Sequence, residues 1–331
     1  MSQPTLLITR HLPESVLQQA RASFEVKLWP HDEPIGQHLI AWAQGCDALL
    51  VMATDRLDAA TLRQLPASVR AIATYSVGHD HIDLYAVTQR GIPVFNTPDV
   101  LSDAVAEVAL LLMLSAARDA ATAETALRSG GWGPWSPTRF LGQQLTGRRL
   151  GLYGMGRIGM GIAQRALGFG MQVHYHNRTV HTAATGFTYH ASLESLMEHS
   201  DVFCVCAPST LQTRGTVNRA RLALLPRGSV FVNIARGDLV DEDALFEAIL
   251  SGHIGGAGLD VYRDEPAIDP RFLQLPRTTL LPHIGSATLD AREGMGRLAL
   301  QALEAFLLQG KPPANCLNPD ALASPFAKGS A

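Results

Sequence analysis

Cysteine is scarce in this chain. Cys46, Cys204, Cys206 and Cys316 are too few and too scattered among 331 residues for a disulfide framework, which points to a reducing compartment. Cys204 and Cys206 lie two apart in an apolar run, so a strand would place both on one face. With no second pair and no histidine at ligand spacing beside them, buried packing is the reading, and no metal is assigned. An excess of charge of one sign is also missing: 27 basic against 30 acidic residues leave a net charge of −3. That balance gives no electrostatic footprint for nucleic acid or an anionic membrane, so a small molecule is the expected partner. Long apolar runs are absent too. The longest, Val105 to Ala117, is interrupted by Glu107 and is too short to cross a bilayer. The N-terminal MSQPTLLITRHLPES has no basic leader followed by an apolar core. A cytoplasmic protein is expected.

What is present suits an enzyme with two cores. The length exceeds a usual single domain, and 47% hydrophobic residues suffice for two packed interiors. Short apolar runs alternate with helix-like segments, which predicts a doubly wound α/β fold with parallel strands. TLLIT, DALLVM, AIATYS and IPVFN read as buried strands of a first, flavodoxin-like domain. RLGLYG, MQVHYHN, DVFCVCA, SVFVNIA, GAGLDV and TTLLPHI read as the sheet of a second, dinucleotide-binding domain. Asp103 to Arg118 has the Ala and Leu content of a buried connecting helix. A last helix, roughly Thr288 to Gln309, stops before Gly310 and Pro312 and returns to the first domain. The predicted domains are therefore 1–98 with 287–331, and 99–286 inserted between them. The tail from Asn318 is expected to be poorly ordered.

After the strand ending at Tyr153 comes Gly154-Met155-Gly156-Arg157-Ile158-Gly159, then a helical stretch. The first glycine permits the tight turn, the second lets backbone approach a pyrophosphate, and the third lets helix and strand pack closely. The helix N-terminus supplies N–H groups and positive dipole to the phosphates. At the end of the next strand, where an NAD enzyme usually carries an acid for the ribose 2′-hydroxyl, stand Asn177, Arg178 and Thr179. No carboxylate is there to repel a 2′-phosphate, Arg178 can pair with one, and Asn177 and Thr179 can donate to it. Hydrogen bonds to charged groups are worth about 1.5–3 kcal/mol each, so one or two would favour NADP over NAD by roughly 10- to 100-fold. NADP(H) is the predicted cofactor, with NAD(H) the alternative if Arg178 points away as a solvated loop residue.

Three residues beyond later strands have types suited to keto-acid chemistry. Arg236, in NIARGDLVDEDAL, has a planar fork for a carboxylate or a keto oxygen. His283, in LLPHIGSAT, can give a proton to that oxygen while a reduced nicotinamide gives hydride to the carbon, a contribution of about 10²- to 10⁴-fold in rate. An acid beside it would orient the ring and stabilise the imidazolium. Both Glu265 and Asp264, in LDVYRDEPAID, satisfy that pattern. In the first domain YSVGHDHID places the Val77 and Gly78 N–H groups where they could cup a carboxylate. His79 and His81, alternating with Asp80 and Asp83, read as a loop and helix start rather than a metal site.

Together these segments resemble the D-2-hydroxyacid dehydrogenase family, in particular its glyoxylate/hydroxypyruvate reductase branch, over nearly the whole length. The resemblance implies an Arg-Glu-His catalytic set falling on Arg236, Glu265 and His283, and thereby selects Glu265 over Asp264. It implies a cleft between a discontinuous substrate domain and an inserted cofactor domain. Ala207 and Pro208 would line the cofactor, Ile234 and Ala235 approach the nicotinamide, and Asp260 contact its carboxamide end. Ser286 would bind substrate or cofactor. Gly131 to Pro137 looks like that branch's dimerisation arm, which makes Trp135 a residue reaching the partner's substrate site in a homodimer. Nothing beyond residue 331 suggests the effector domain of a phosphoglycerate dehydrogenase. The expected activity is NADPH-preferring reduction of glyoxylate and hydroxypyruvate. Other 2-keto acids, such as a 2-ketogluconate or an aryl pyruvate, are the alternative, and a dinucleotide-sensing corepressor is the alternative of a different class.

Overall fold

Apolar runs too short for helices pair in parallel, the arrangement that crossover helices permit and that needs cover on both faces. The computed structural model describes residues 3–323. One sheet holds β1 (Thr5–Ile8), β2 (Glu25–Leu28), β3 (Ala48–Val51), β4 (Ala71–Thr74) and β5 (Val94–Phe95), in the order β2-β1-β3-β4-β5. The other holds β6 (Arg149–Tyr153), β7 (Gln172–His176), β8 (Thr188–Tyr189), β9 (Val202–Val205), β10 (Ser229–Asn233), β11 (Ile254–Leu259) and β12 (Thr278–Leu280). Its order is β12-β11-β10-β9-β6-β7-β8. The chain divides into two compact units, Met1–Leu101 with Ala287–Ala331 around the first sheet, and Ser102–Ser286 around the second. The doubly wound α/β expectation holds. β2 and β8 were not anticipated: β2 is an edge strand with one exposed and three half-buried residues, and β8 has only two residues. Neither offers the buried apolar run that marks an interior strand.

In the first unit Leu7, Leu49, Ile72 and Val94 form a continuous core across adjacent strands. Helix Leu289–Leu307, capped by Thr288 Oγ1 on the Ala291 N–H, packs on helix Glu14–Ser23. A Cβ at Gly296 would lie 2.4 Å from Val16 Cγ1. The chain then runs back along β5. Leu317 donates its N–H to Val94 O at 2.8 Å, while Asn318 accepts the Val94 N–H through Oδ1 at 2.7 Å. Asn318 Nδ2 donates to Thr88 Oγ1 and Ile92 O. The expectation of a poorly ordered tail from Asn318 is therefore corrected for Asn318 to Ala323: the amide side chain completes the hydrogen bonding of β5, and a short 3-10 turn follows. Residues beyond 323 lie outside the described residues.

In the second unit Phe203 and Phe231 pack side by side on β9 and β10, ring centroids 5.9 Å apart. Helix Ser102–Arg118 belongs to this unit and covers β10 and β11. It lies so close that a Cβ on Gly256 would be 2.5 Å from Ala116 O. No helix among the described residues is long and apolar enough to cross a membrane.

A string of imidazoles joins β7 to the following segment. His174 Nδ1 lies 2.9 Å from His190 Nε2, and His190 Nδ1 lies 2.9 Å from Ser195 Oγ. One nitrogen of the His174–His190 pair must donate and the other accept, so both rings cannot be cationic. Burial holds both below the ordinary value of 6.5, with the charges of His190, Arg149 and His199 adding to it for His174 against Asp201. His199 and His176 add to it for His190. The native state thus refuses protons that the unfolded chain accepts. Stability is fully present above about pH 6.5 and declines as pH falls from there through the depressed native values. Denaturant unfolding at pH 7.5 and pH 5.5 should show this loss, and replacing both histidines with asparagine should reduce it; an unchanged loss in that variant would contradict the account.

Candidate active site

Parallel strands bring every strand's carboxyl end to one edge, where loops can gather side chains from distant sequence. At that edge of the larger sheet, β6 leads into Gly154 at φ 107°, where an added Cβ would come within 2.8 Å of the Cys206 and Ala207 backbone. Helix Arg157–Gly168 begins after Gly156, with no side-chain cap on its N-terminus. A Cβ at Gly159 would strike Gly154 O at 2.3 Å, whereas at Gly156 it would meet nothing within 4 Å. The first and third glycines are thus close-packing residues, and the second leaves open space before an uncapped helix start. That geometry fits a dinucleotide pyrophosphate, with Met155 buried and Arg157 and Ile158 opening the helix. Cys206, at the end of β9, donates its thiol to Gly154 O at 2.8 Å and so braces the loop from beneath.

At the end of β7 stand Asn177, Arg178 and Thr179. Asn177 accepts the Met155 N–H through Oδ1 at 2.7 Å, so its carbonyl oxygen serves the glycine loop. Arg178 and Thr179 are exposed, and Arg178 makes no ion pair among the described residues. No carboxylate occupies these three positions.

The three catalytic candidates come from the ends of β10, β11 and β12. Asn233, buried at the end of β10, donates Nδ2 to Arg236 O at 2.9 Å and accepts the Ala235 N–H, fixing the turn Ile234-Ala235-Arg236. Gly237 then lies directly on the backbone beyond β11: a Cβ there would be 1.9 Å from the Tyr262 carbonyl carbon and 2.1 Å from Arg263 N. Glu242 accepts the Arg263 N–H at 2.8 Å from the other loop. Burial pushes the Glu242 carboxyl up, against the pull of that N–H and the Arg263 charge. Glu265 Oε1 accepts the Tyr262 N–H at 2.9 Å, and its Oε2 lies 2.6 Å from His283 Nδ1. Burial pushes the Glu265 carboxyl up, but the His283 hydrogen bond and charge, the Tyr262 N–H and Arg236 outweigh it. The group rests below the ordinary glutamate value. An ionised carboxylate can only accept, so the proton sits on His283 Nδ1 and Nε2 is the nitrogen left to exchange a proton.

His283 holds a left-handed backbone at φ 53°, a conformation of order 1–3 kcal/mol unfavourable for a side chain of this kind unless its surroundings fix it. Asp260, buried at the end of β11, supplies the fixing. Its two oxygens accept the Ile284 and Gly285 N–H groups at 2.8 Å each. Burial pushes its carboxyl up, with those N–H groups and His283 acting against burial. Asp260 thus accepts one backbone N–H on each oxygen, and each oxygen keeps a further acceptor site. Ser286 follows, half-buried. The β9 loop is tied in as well: Ala207 is buried and Pro208 exposed, and Ser209 Oγ donates to Asp238 at 2.8 Å beside an Arg214–Asp238 ion pair at 3.0 Å.

The smaller sheet has its own carboxyl-end site. After β4, Ser76 O accepts the Thr97 N–H at 3.0 Å and Val77 O accepts Asn96 Nδ2 at 3.0 Å. In a trans peptide the N–H points opposite to the carbonyl. Two carbonyls turned toward neighbouring residues 96 and 97 therefore turn the Val77 and Gly78 N–H groups together to the other side, the shape of a small anion nest. Beneath it, Ser76 Oγ donates to Gly78 O at 2.6 Å, so Thr74 Oγ1 must donate to Ser76, and His81 Nε2 to Thr74. His81 thus belongs to this polar string, while His79 is exposed.

A model of the NAD binding domain of D-isomer specific 2-hydroxyacid dehydrogenases matches residues 110–285. A glyoxylate reductase of Thermococcus kodakarensis is 41% identical over 318 residues, covering 94% of this chain and 95% of its own. A glycerate dehydrogenase of Hyphomicrobium methylovorum is 40% identical over 313 residues, covering 92% and 97%. The chain belongs to the D-isomer specific 2-hydroxyacid dehydrogenase family. The solved structure of an NADPH-dependent glyoxylate/hydroxypyruvate reductase from Sinorhizobium meliloti, in complex with NADP and malonate, matches it with a TM-score of 0.86. The two are 34% identical over 97% of this chain and 98% of that one. This dehydrogenase is thus an oxidoreductase with a nicotinamide-dinucleotide-binding unit.

Cys206, read from the sequence as buried packing, is half-buried. Asn233, Gly237, Glu242 and Tyr262 were not singled out there, because nothing in their local pattern separates a loop brace from an ordinary core or helix residue. Gly237 is the one whose role has a direct test in this dehydrogenase. Gly237→Ala should push the Arg236 turn off the Tyr262–Arg263 backbone, and displacements of about 1 Å near reacting groups cost roughly 10²-fold in rate. Steady-state turnover should fall on that scale while dinucleotide affinity, measured by titration, is retained; wild-type turnover would refute the close-packing role.

Proposed function

We propose that this dehydrogenase is a cytoplasmic, NADPH-preferring reductase of glyoxylate and hydroxypyruvate, forming glycolate and D-glycerate. The observation that carries the reading is the Glu265–His283 pair at 2.6 Å, with Arg236 within electrostatic reach, on the edge that also bears the glycine loop. The names of the relatives, glyoxylate reductase and glycerate dehydrogenase, support the substrate class. The four free cysteines support a reducing compartment.

A reduced nicotinamide, when bound, supplies hydride to the keto carbon. His283 Nε2 gives the proton to the keto oxygen, and Glu265 holds the ring through Nδ1 and balances its charge. Arg236 pairs with the carboxylate and polarises the oxygen. Val77 and Gly78 hold the carboxylate through backbone N–H groups, and Ser286 completes the polar contacts. The unit bearing these two N–H groups is assigned to substrate, and the unit from Ser102 to Ser286 to cofactor. There Gly154, Gly156 and Gly159 with Met155, Arg157 and Ile158 would cradle the pyrophosphate, and Ala207, Pro208, Ile234 and Ala235 would line the nicotinamide side. Arg178 with Thr179 would meet the 2′-phosphate, and Asn177 would set the loop from which they reach. Trp135, 82% exposed with Trp132 at 64% on the same loop, is assigned to a homodimer contact that reaches the partner's substrate.

Consumption of NADPH and of NADH should be followed with glyoxylate and hydroxypyruvate for the wild type and for Arg178→Ala. NADPH should support the faster reaction, and the variant should lose about 10- to 100-fold of the preference. Equal use of both cofactors by the wild type would contradict the NADPH assignment, and equal or better efficiency on an aryl pyruvate would contradict the substrate assignment.

A further inference from the structure

We propose that Asn96 and Asn315 form a clasp that aims the Val77–Gly78 backbone and so sets the affinity of this dehydrogenase for its substrate's carboxylate. The inference rests on the assignment of Val77 and Gly78 to that carboxylate, and it concerns two positioning residues more than two hundred positions apart. Asn96 is 8% exposed and lies just beyond β5. Its side chain makes the 3.0 Å hydrogen bond to Val77 O, the middle carbonyl of the nest. The flanking carbonyls have other holders, Thr97 N–H for Ser76 O and Ser76 Oγ for Gly78 O. Asn96 therefore controls the peptide whose N–H belongs to Gly78.

Asn96 is itself gripped by Asn315. The Asn96 N–H donates to Asn315 O at 3.3 Å, and Asn315 Nδ2 donates to Asn96 O at 2.6 Å. Asn315 lies on the segment that returns beside β5, where Phe95 and Cys316 form an antiparallel bridge and Leu317 N–H meets Val94 O. A backbone nest carries no net charge, so its hold on an anion depends on the direction of its N–H dipoles. A side chain that locks one of its peptide planes acts on anion affinity without touching the anion. Asn318, three residues on, tethers the same segment to Val94 of β5 and to Thr88 and Ile92 ahead of it, and makes no bond to the nest.

The test compares Asn96→Asp, which keeps the shape but replaces the donor with an oxygen facing Val77 O, with Asn315→Ala, which removes the clasp, and Asn318→Ala, which removes only the tether. The readouts are the keto-acid KM and kcat at saturating NADPH, the calorimetric affinity for malonate as an unreactive carboxylate, dinucleotide affinity, and Tm. Misaiming one charge-binding N–H weakens anion affinity by about 10- to 100-fold. Asn96→Asp should show that rise in KM and malonate Kd with a smaller change in kcat. Asn315→Ala should move both in the same direction, with dinucleotide affinity unchanged. Asn318→Ala should lower Tm without raising KM. Unchanged KM and malonate affinity in both clasp variants, or an equal rise in KM from Asn318→Ala, would overturn the proposal. Gly78→Pro, which deletes the N–H itself, separates the two levels. A rise in KM there but not in the clasp variants would reject the clasp and keep the carboxylate assignment, whereas no rise in either would reject both.

Discussion

Asp260 accepts two adjacent backbone N–H groups with its two oxygens, and the left-handed backbone at His283 depends on that contact. A carboxylate buried this completely is costly unless it is hydrogen-bonded. The same partners that satisfy Asp260 draw the end of β12 against the end of β11. The imidazole is thereby presented by a backbone it would not adopt alone, and Glu265 then fixes which of its nitrogens holds the permanent proton.

The same device recurs along the edge of the sheet. Asn177 reaches the glycine loop, Cys206 braces it from β9, Asp238 gathers Ser209 and Arg214, Asn233 folds the Arg236 turn, and Glu242 holds the peptide that precedes Glu265. Asp238 holds two side chains, and each of the other braces is a side chain that accepts from or donates to loop backbone. Neutral hydrogen bonds contribute about 0.5–1.5 kcal/mol each and those to charged groups roughly twice as much, so no single one makes the edge rigid. Their arrangement in series lets loops, normally the mobile part of a fold, present reacting groups with fixed geometry.

Much of this was legible in the sequence because the decisive signals are local. A glycine loop between a strand and a helix, and polar residues following apolar runs, report chemistry within a few residues, and the α/β fold and the family follow from them. The edge strands were not legible: Glu25–Leu28 has one exposed and three half-buried residues and no apolar run, and Thr188–Tyr189 is too short to signal anything. Contacts across long separations were equally hidden. Asn318 reads as the start of a polar tail, yet its side chain completes β5, and the bond from the Met155 N–H to Asn177 Oδ1 spans 22 positions with no local signal. Choosing Glu265 over Asp264 required the family resemblance, since both are exposed acids in one turn. The structure places the Glu265 carboxylate, not that of Asp264, at 2.6 Å from His283 Nδ1.

The claim at the centre of the account is that Glu265 acts through His283 rather than on the substrate. A double-mutant cycle in kcat/KM for glyoxylate reduction, with Glu265→Gln, His283→Ala and the pair, tests it most directly. Acid–base residues of this kind contribute about 10²- to 10⁴-fold, and residues acting as a unit are strongly non-additive. The account predicts that the double variant is no slower than His283→Ala alone. A double variant slowed by the product of the two single losses would contradict it.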